Sequence, residues 1–190
     1  MGFAELMVLA VGLSMDAFAV AACRGLAMKK FDAKNALVTA FFFGGFQALM
    51  PLLGWLLGRQ FEKYITGVDH WIAFALLGFI GGKMIFEFFK PESCPADGAE
   101  KINFKELTAL AFATSIDALA AGITFAFLDI SVSRAVTLIG ITTFLLSFIA
   151  AAAARKFGGR LGRKAELAGG AALILIGLKI LLGDLGFLPF

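Results

Sequence analysis

Apolar residues run along this chain in long unbroken stretches and do not alternate with polar ones. Runs long enough to cross about 30 Å of hydrocarbon as α-helix occupy Phe3 to Cys23, Ala36 to Leu57, Trp71 to Phe89, Leu107 to Leu128, Val132 to Ala154 and Ala168 to Leu188. In lipid a backbone must pair its polar groups within its own helix or in a closed barrel, and continuous apolarity selects the helix. The pattern therefore predicts an all-α integral membrane protein with six transmembrane helices. Only short polar segments separate the runs, the longest being 90–106, which is expected as a connecting loop. Composition agrees. Of 190 residues, 60% are hydrophobic and 16% charged, against roughly 45–50% and 25% in an ordinary soluble domain. The first run has no positive segment ahead of it and carries Asp16, so it reads as a retained span and not as a cleaved signal.

The net charge of +3 is scattered between apolar runs and leaves no nucleic-acid footprint. The placement of the cations says more. Arg24, Lys29, Lys30 and Lys34 follow the first run, Lys90, Lys101 and Lys105 the third, and Arg155, Lys156, Arg160, Arg163 and Lys164 the fifth. The opposite side receives only Arg59, Lys63 and Arg134, while Lys83 and Lys179 lie within spans. By the positive-inside rule the first set faces the cytoplasm and both termini face outward, an N-out/C-out topology. Cys23 and Cys94 are too few for a disulfide framework or a metal cluster and are expected as reduced thiols.

The chain also resembles itself. Leu9 to Ala19 (LAVGLSMDAFA) recurs as Leu110 to Ala120 (LAFATSIDALA), with Ser-x-Asp-Ala-x-Ala in common. At a slightly different offset Gly44, Gln47, Arg59 and Phe61 align with Gly140, Thr143, Arg155 and Phe157, and Gly81 and Lys83 align with Gly177 and Lys179. A repeat of three spans, being odd, inverts its second copy in the bilayer. The expected organisation is a first three-helix repeat over 1–89, a cytoplasmic loop over 90–106 and a second, inverted repeat over 107–190. Secondary transporters built this way hold their substrate near the midplane, where the halves meet.

Asp16 and Asp117 fall about halfway along their spans, where a charge costs at least ~2.5 kcal/mol on insertion scales. Equivalent midplane residues of inverted repeats can approach across the pseudo-twofold axis. Such a carboxylate pair either shares protons or holds a divalent cation. Its neighbours are oxygen donors: Ser14, Thr114 and Ser115 flank the aspartates, and Gln47 and Thr143 sit midway along the second and fifth helices. Pro51 removes the N–H that would bond the Gln47 carbonyl. The aligned Ser147 is expected to bond back to the Thr143 carbonyl. Carboxylate, carbonyl and hydroxyl oxygens suit hard cations such as Mg, Ca or Mn, and the residues themselves do not choose among them. His70, beside Trp71, is expected at the interface. Gly54 and Gly58, Gly78 and Gly82, and Gly158 and Gly162 are spaced for close helix contact. Lys83 is expected to pair with Glu87 one turn away. Lys179 either neutralises an aspartate in the metal-free state or snorkels outward.

The stretches Ser14 to Ala19 (SMDAFA), Phe43 to Trp55 (FGGFQALMPLLGW), Asp69 to Phe74 (DHWIAF) and Ala113 to Ala118 (ATSIDA) resemble the bacterial manganese efflux pumps of the MntP family, over essentially the whole chain. The resemblance implies a six-helix inner-membrane exporter, not an enzyme, that removes Mn²⁺ from the cytoplasm using Asp16 and Asp117, with Ser115 beside the second. Cys23-Arg24-Gly25 resembles a small-residue turn of that family, which makes Gly25 a helix C-cap or a pivot. The expected mechanism is alternating access in which Mn²⁺ displaces protons from the aspartates and takes ligands from Ser14, Ser115, Thr114, Gln47 and Thr143. No nucleotide-binding motif occurs, so an ion gradient or the membrane potential is the expected energy source. The expected partners are Mn²⁺ as substrate, protons and the bilayer, with no resident cofactor. An exporter of another cation and a passive cation channel use the same residues.

Overall fold

The computed structural model describes residues 2–28, 31–65, 69–89, 102–128, 130–157, 171, 174–179 and 181–182. Among these the regular elements are all helices: α1 (Phe3–Leu13), α2 (Met15–Ala27), α3 (Ala33–Ile65), α4 (Asp69–Phe88), α5 (Phe104–Thr114), α6 (Ile116–Phe127) and α7 (Val132–Phe157). Residues 174–179 are helical as well. Most of the expected sixth span, most of the loop 90–106, Cys94 and the Gly158 and Gly162 pair lie outside the described residues.

Two segments, Ala33–Gln60 and Val132–Ala154, are each long and apolar enough to cross a membrane alone. The α1–α2 and α5–α6 pairs each pass the same test as one bent span, giving up to four among the described residues. The exterior fits such a setting: Phe41, Phe79, Phe112 and Ile149 are all more than half exposed. This is a multi-pass helical membrane protein.

The first and fourth apolar runs are not the continuous helices expected from their hydropathy. Each is broken at a serine, with bends of 40° between α1 and α2 and 41° between α5 and α6. Ser14 (φ −81°, ψ −10°) and Ser115 (φ −104°, ψ 2°) drift out of the helical well into the sparsely populated bridge region. The cause is local. Ser14 Oγ donates to the Ala10 carbonyl at 2.6 Å and Ser115 Oγ to the Ala111 carbonyl at 2.7 Å, and such back-bonding to the residue four earlier bends a helix. Hydropathy counts apolar residues and does not register this competition for a carbonyl.

Helices α3 and α7 form the centre, packed along one another; α3 also lies along α6, and α7 along α2. The broken pairs are completed by α1 against α7 and α5 against α3. Backbones meet through glycine. A Cβ on Gly44 would sit 2.8 Å from the Gly140 carbonyl oxygen, and Cβ atoms on Gly54, Gly122 and Gly25 would strike the backbones of Leu119, Pro51 and Ala151. Pro51 is inside α3, which runs on through it. Gly25 is neither a C-cap, since α2 runs to Ala27 and is capped by Met28, nor part of a turn; it is the point where α2 presses on α7. Gly54 and Gly58 serve the contact with α6, as their spacing suggested, whereas among the described residues nothing lies within 4 Å of a Cβ built on Gly78 or Gly82.

Buried apolar side chains form two clusters, one around Leu9, Leu13, Met15, Leu77, Ile80 and Ile139, the other around Ala17, Phe18, Phe43, Leu107 and Ala150. Asp16 falls between Met15 of the first and Ala17 of the second. Two further expectations are corrected. Arg24, counted as a loop cation, is buried inside α2 and pairs with Glu106 at 3.2 Å. Cys23 is disulfide-bonded and not a reduced thiol.

These contacts predict opposite signs for the same substitution. Gly122→Ala and Gly25→Ala force backbone apart and lower stability by about 1–3 kcal/mol. Gly78→Ala meets no atom of the described residues and, by helix propensity, raises stability by up to about 1 kcal/mol. Thermal unfolding of the detergent-solubilised chain distinguishes the two outcomes.

Candidate functional site

The two breaks place the aspartates. Asp16 and Asp117 each occupy the first turn of the helix that begins after the interruption, α2 and α6 respectively. A carboxylate there faces the positive end of the helix dipole, which offsets part of the cost of a charge deep in an apolar bundle. Had the spans been continuous, both aspartates would sit at mid-helix without that compensation. Their side chains are 15% and 10% exposed.

The two carboxylates share one cation. Lys83 Nζ lies 2.7 Å from Asp117 Oδ2, donating a hydrogen bond to it, and 3.7 Å from Asp16 Oδ2. Lys83 stands on α4, which packs against α6. It follows the buried Ile80 by three residues and so continues the stripe that faces the bundle. The Glu87 side chain, the partner expected for Lys83, lies outside the described residues. Lys179 is not at the aspartates: it pairs with Glu5 of α1. The lysine found beside the aspartates is Lys83, the residue that the sequence aligns with Lys179.

Around the first break the polar groups interlock. Gln47 Nε2 donates to the Leu13 carbonyl at 2.6 Å, a group that the end of α1 releases. Ser14 Oγ and Thr143 Oγ1 are 2.7 Å apart. Both α3 and α7 therefore reach the break, one from each half of the chain. Gln47, Ser14 and Thr143 are fully buried. Gln47 Oε1, turned away from its amide nitrogen's bond, is buried without a hydrogen-bond partner, and so is Ser147 Oγ one turn beyond Thr143. The back-bond expected from Ser147 to the Thr143 carbonyl is not made.

The second break closes on its own helix. Ser115 Oγ donates into its own helix, to Ala111 and Phe112, and Thr114 Oγ1 donates to Ala111 at 3.2 Å. Both are buried. Of the residues proposed from the sequence, the structure thus links Ser14, Thr143 and Gln47 at one break, joins Asp16 and Asp117 through Lys83, and turns the Ser115 and Thr114 protons inward. Pro51 stands apart, against Gly122. Among the described residues no group of three or more His, Cys, Asp or Glu side chains gathers to hold a metal. A divalent ion here would meet two carboxylates and otherwise neutral oxygens. His70, whose side chain lies outside the described residues, is not part of this account.

The comparisons with known proteins agree with one another. The sequence profile of a family described as "Putative manganese efflux pump" matches residues 30–181. The chain belongs to this family. A "Putative manganese efflux pump MntP" of Acetivibrio thermocellus is 56% identical over 187 residues, covering 98% of this chain and 93% of that protein. Its namesake in Desulfitobacterium hafniense is 57% identical over 188 residues, covering 99% and 98%, and one in Clostridium perfringens is 46% identical over 208 residues, covering 99% and 98%. No solved structure matches the chain. The family is one of transporters and not of enzymes, and its multi-pass helices place it in the plasma membrane.

The polar lattice of this family member makes unequal predictions for its parts. Gln47→Leu strands the buried Leu13 carbonyl and lowers stability by about 1–3 kcal/mol, whereas Thr143→Val, which leaves Ser14 its bond to Ala10, costs about 0.5–1.5 kcal/mol. Thermal unfolding in detergent checks the order.

Proposed function

We propose that the chain exports Mn²⁺ from the cytoplasm by alternating access at the Asp16 and Asp117 pair. The observation that carries this reading is the convergence of both carboxylates, one from each serine break, on a single ammonium. A place that holds a cation between the two halves of a membrane bundle is what a cation exporter needs. The relatives' names supply the ion. The donor set supports it, since carboxylate, carbonyl and hydroxyl oxygens favour hard cations including Mn.

The full architecture in this reading has six spans in two inverted repeats, 1–89 and 107–190, joined by the cytoplasmic segment 90–106, with both termini outside. Support comes from the matching bends of 40° and 41° at equivalent serines. It comes also from the exchange of packing partners, α3 with α6 and α5 where α7 has α2 and α1. The ligands in this reading are Asp16, Asp117, Ser14, Ser115, Thr114, Gln47 and Thr143, with Gly25 and Pro51 as the close backbone contacts about which the halves rock. Protons returning to the aspartates as the metal leaves would keep the buried charge nearly constant. The orientation rests on the bias of Lys and Arg to one side. The disulfide at Cys23, on that same side, is a bond that reducing compartments disfavour, so topology is tested directly: alkaline phosphatase fused at the C-terminus is active, and a fluorescent protein inserted after Gly98 glows.

Function is tested in an efflux-deficient bacterium challenged with Mn²⁺. The wild-type chain lowers cellular manganese and restores growth; Asp16→Asn and Asp117→Asn reach the membrane in normal amounts and do neither. A fall in another metal with manganese unchanged reassigns the substrate, and equilibration without export against a gradient makes the chain a channel.

A further inference from the structure

We propose that Lys83 is a resident counter-cation which occupies the metal's position between Asp16 and Asp117 in the empty pump and must withdraw for the metal to bind. The inference rests on the two-aspartate reading above and adds a residue that competes with the substrate.

Three observations carry it. The first is position: the ammonium bonds to Asp117 at 2.7 Å and approaches Asp16 to 3.7 Å. A divalent ion bridging those oxygens would need the space the ammonium fills, and two such charges a few ångströms apart repel strongly in a low-dielectric bundle. Binding of one therefore requires departure of the other.

The second is the surplus of acceptors. An ammonium has three donors. It meets two carboxylates, while elsewhere around the first break the buried Gln47 Oε1 has no hydrogen-bond partner, and neither has Ser147 Oγ, one turn from Thr143. That is more oxygen than a lysine uses, and it is the kind of surplus that an ion taking about six oxygen ligands employs.

The third is the lysine's freedom to move. Its side chain is 33% exposed, against 15% and 10% for the two aspartates. The ammonium thus covers its partners from the open side, on a flexible four-carbon stem that suits a hydrated point charge. Another inter-half ion pair is built in reverse: in Arg24–Glu106 the cation is 7% exposed and the anion 53%. There the cation is the buried member and the anion faces outward. Helix α4 itself is held by Leu77 and Ile80 in the core, so the withdrawal is placed in the side chain and not in the helix.

A tethered ammonium lowers metal affinity and stabilises the empty site, which assists release. Manganese binding to the purified full-length chain, followed by loss of the electron paramagnetic resonance signal of aqueous Mn²⁺, reads this directly. Lys83→Met should bind roughly tenfold or more tightly than wild type, the scale of one nearby charge removed, and should transport more slowly in proteoliposomes. Lys83→Arg, which keeps the charge, should bring affinity back towards wild type. Equal or weaker binding by folded Lys83→Met overturns the proposal and makes Lys83 a structural partner. Should Lys83→Met survive purification only with Mn²⁺ present, thermal unfolding replaces the titration: a larger Mn²⁺-induced rise in Tm than in wild type supports the proposal, and an equal or smaller rise overturns it. The underlying reading fails separately, if Asp16→Asn and Asp117→Asn bind Mn²⁺ as wild type does. Loss of binding in those variants with unchanged affinity in Lys83→Met rejects the counter-cation alone.

Discussion

Two carboxyl groups deep in an apolar helical bundle are the constraint on which the rest of this structure turns. An uncompensated charge in such a setting is costly enough that a protein rearranges its backbone to avoid it. Here the rearrangement is a pair of broken helices. Ser14 and Ser115 take carbonyls from their own helices, the backbone bends, and a new helix begins with an aspartate in its first turn. The break does two things at once: it offers each carboxylate a helix N-terminus, and it releases carbonyls such as that of Leu13 for use by other groups. Lys83 then supplies the remaining positive charge from a third helix.

Close backbone contact is the second requirement, and it follows from the first. For side chains as short as Ser14 and Thr143 to meet at 2.7 Å, the helices bearing them must approach more closely than leucine or phenylalanine contacts permit. Gly44 against Gly140, Gly122 against Pro51 and Gly25 against Ala151 permit that approach. In lipid, where tails are as apolar as side chains, such contacts and the polar bonds they allow are the main attraction between helices. The glycines therefore belong to the polar site as much as to the packing.

Much of this was legible in the sequence. The membrane setting and the helical class followed from unbroken apolar runs, and the approach of Asp16 and Asp117 to one place was expected from a recurring Ser-x-Asp-Ala-x-Ala. The helix breaks were not, because a serine in an apolar run is compatible with either a continuous or a bent helix until its hydroxyl chooses a partner. Lys83 carried a usable signal in its spacing of three from Ile80, on the inward stripe. Spacing could not separate it from Lys179, which stands three residues from the buried Ile176 in the same way. Tertiary context decides between them: Lys179 meets Glu5 on α1, and Lys83 meets Asp117 on α6.

That difference bears on how equivalent halves make an unequal site. The local frames around Ser14 and Ser115 are alike in bend and in back-bonding. Yet among the described residues the first break is bridged by hydroxyl and amide groups from both central helices and the second is not, and the lysine at the carboxylates is Lys83. Gln47 against Thr143 and Pro51 against Ser147 make the halves chemically distinct: an amide can donate to Leu13 and still present an oxygen, whereas a threonine hydroxyl is occupied by Ser14. The spare neutral oxygen on α3 is thus an amide oxygen, at Gln47, and on α7 a hydroxyl, at Ser147. The aspartates are alike in the two halves, and the neutral groups around them are not.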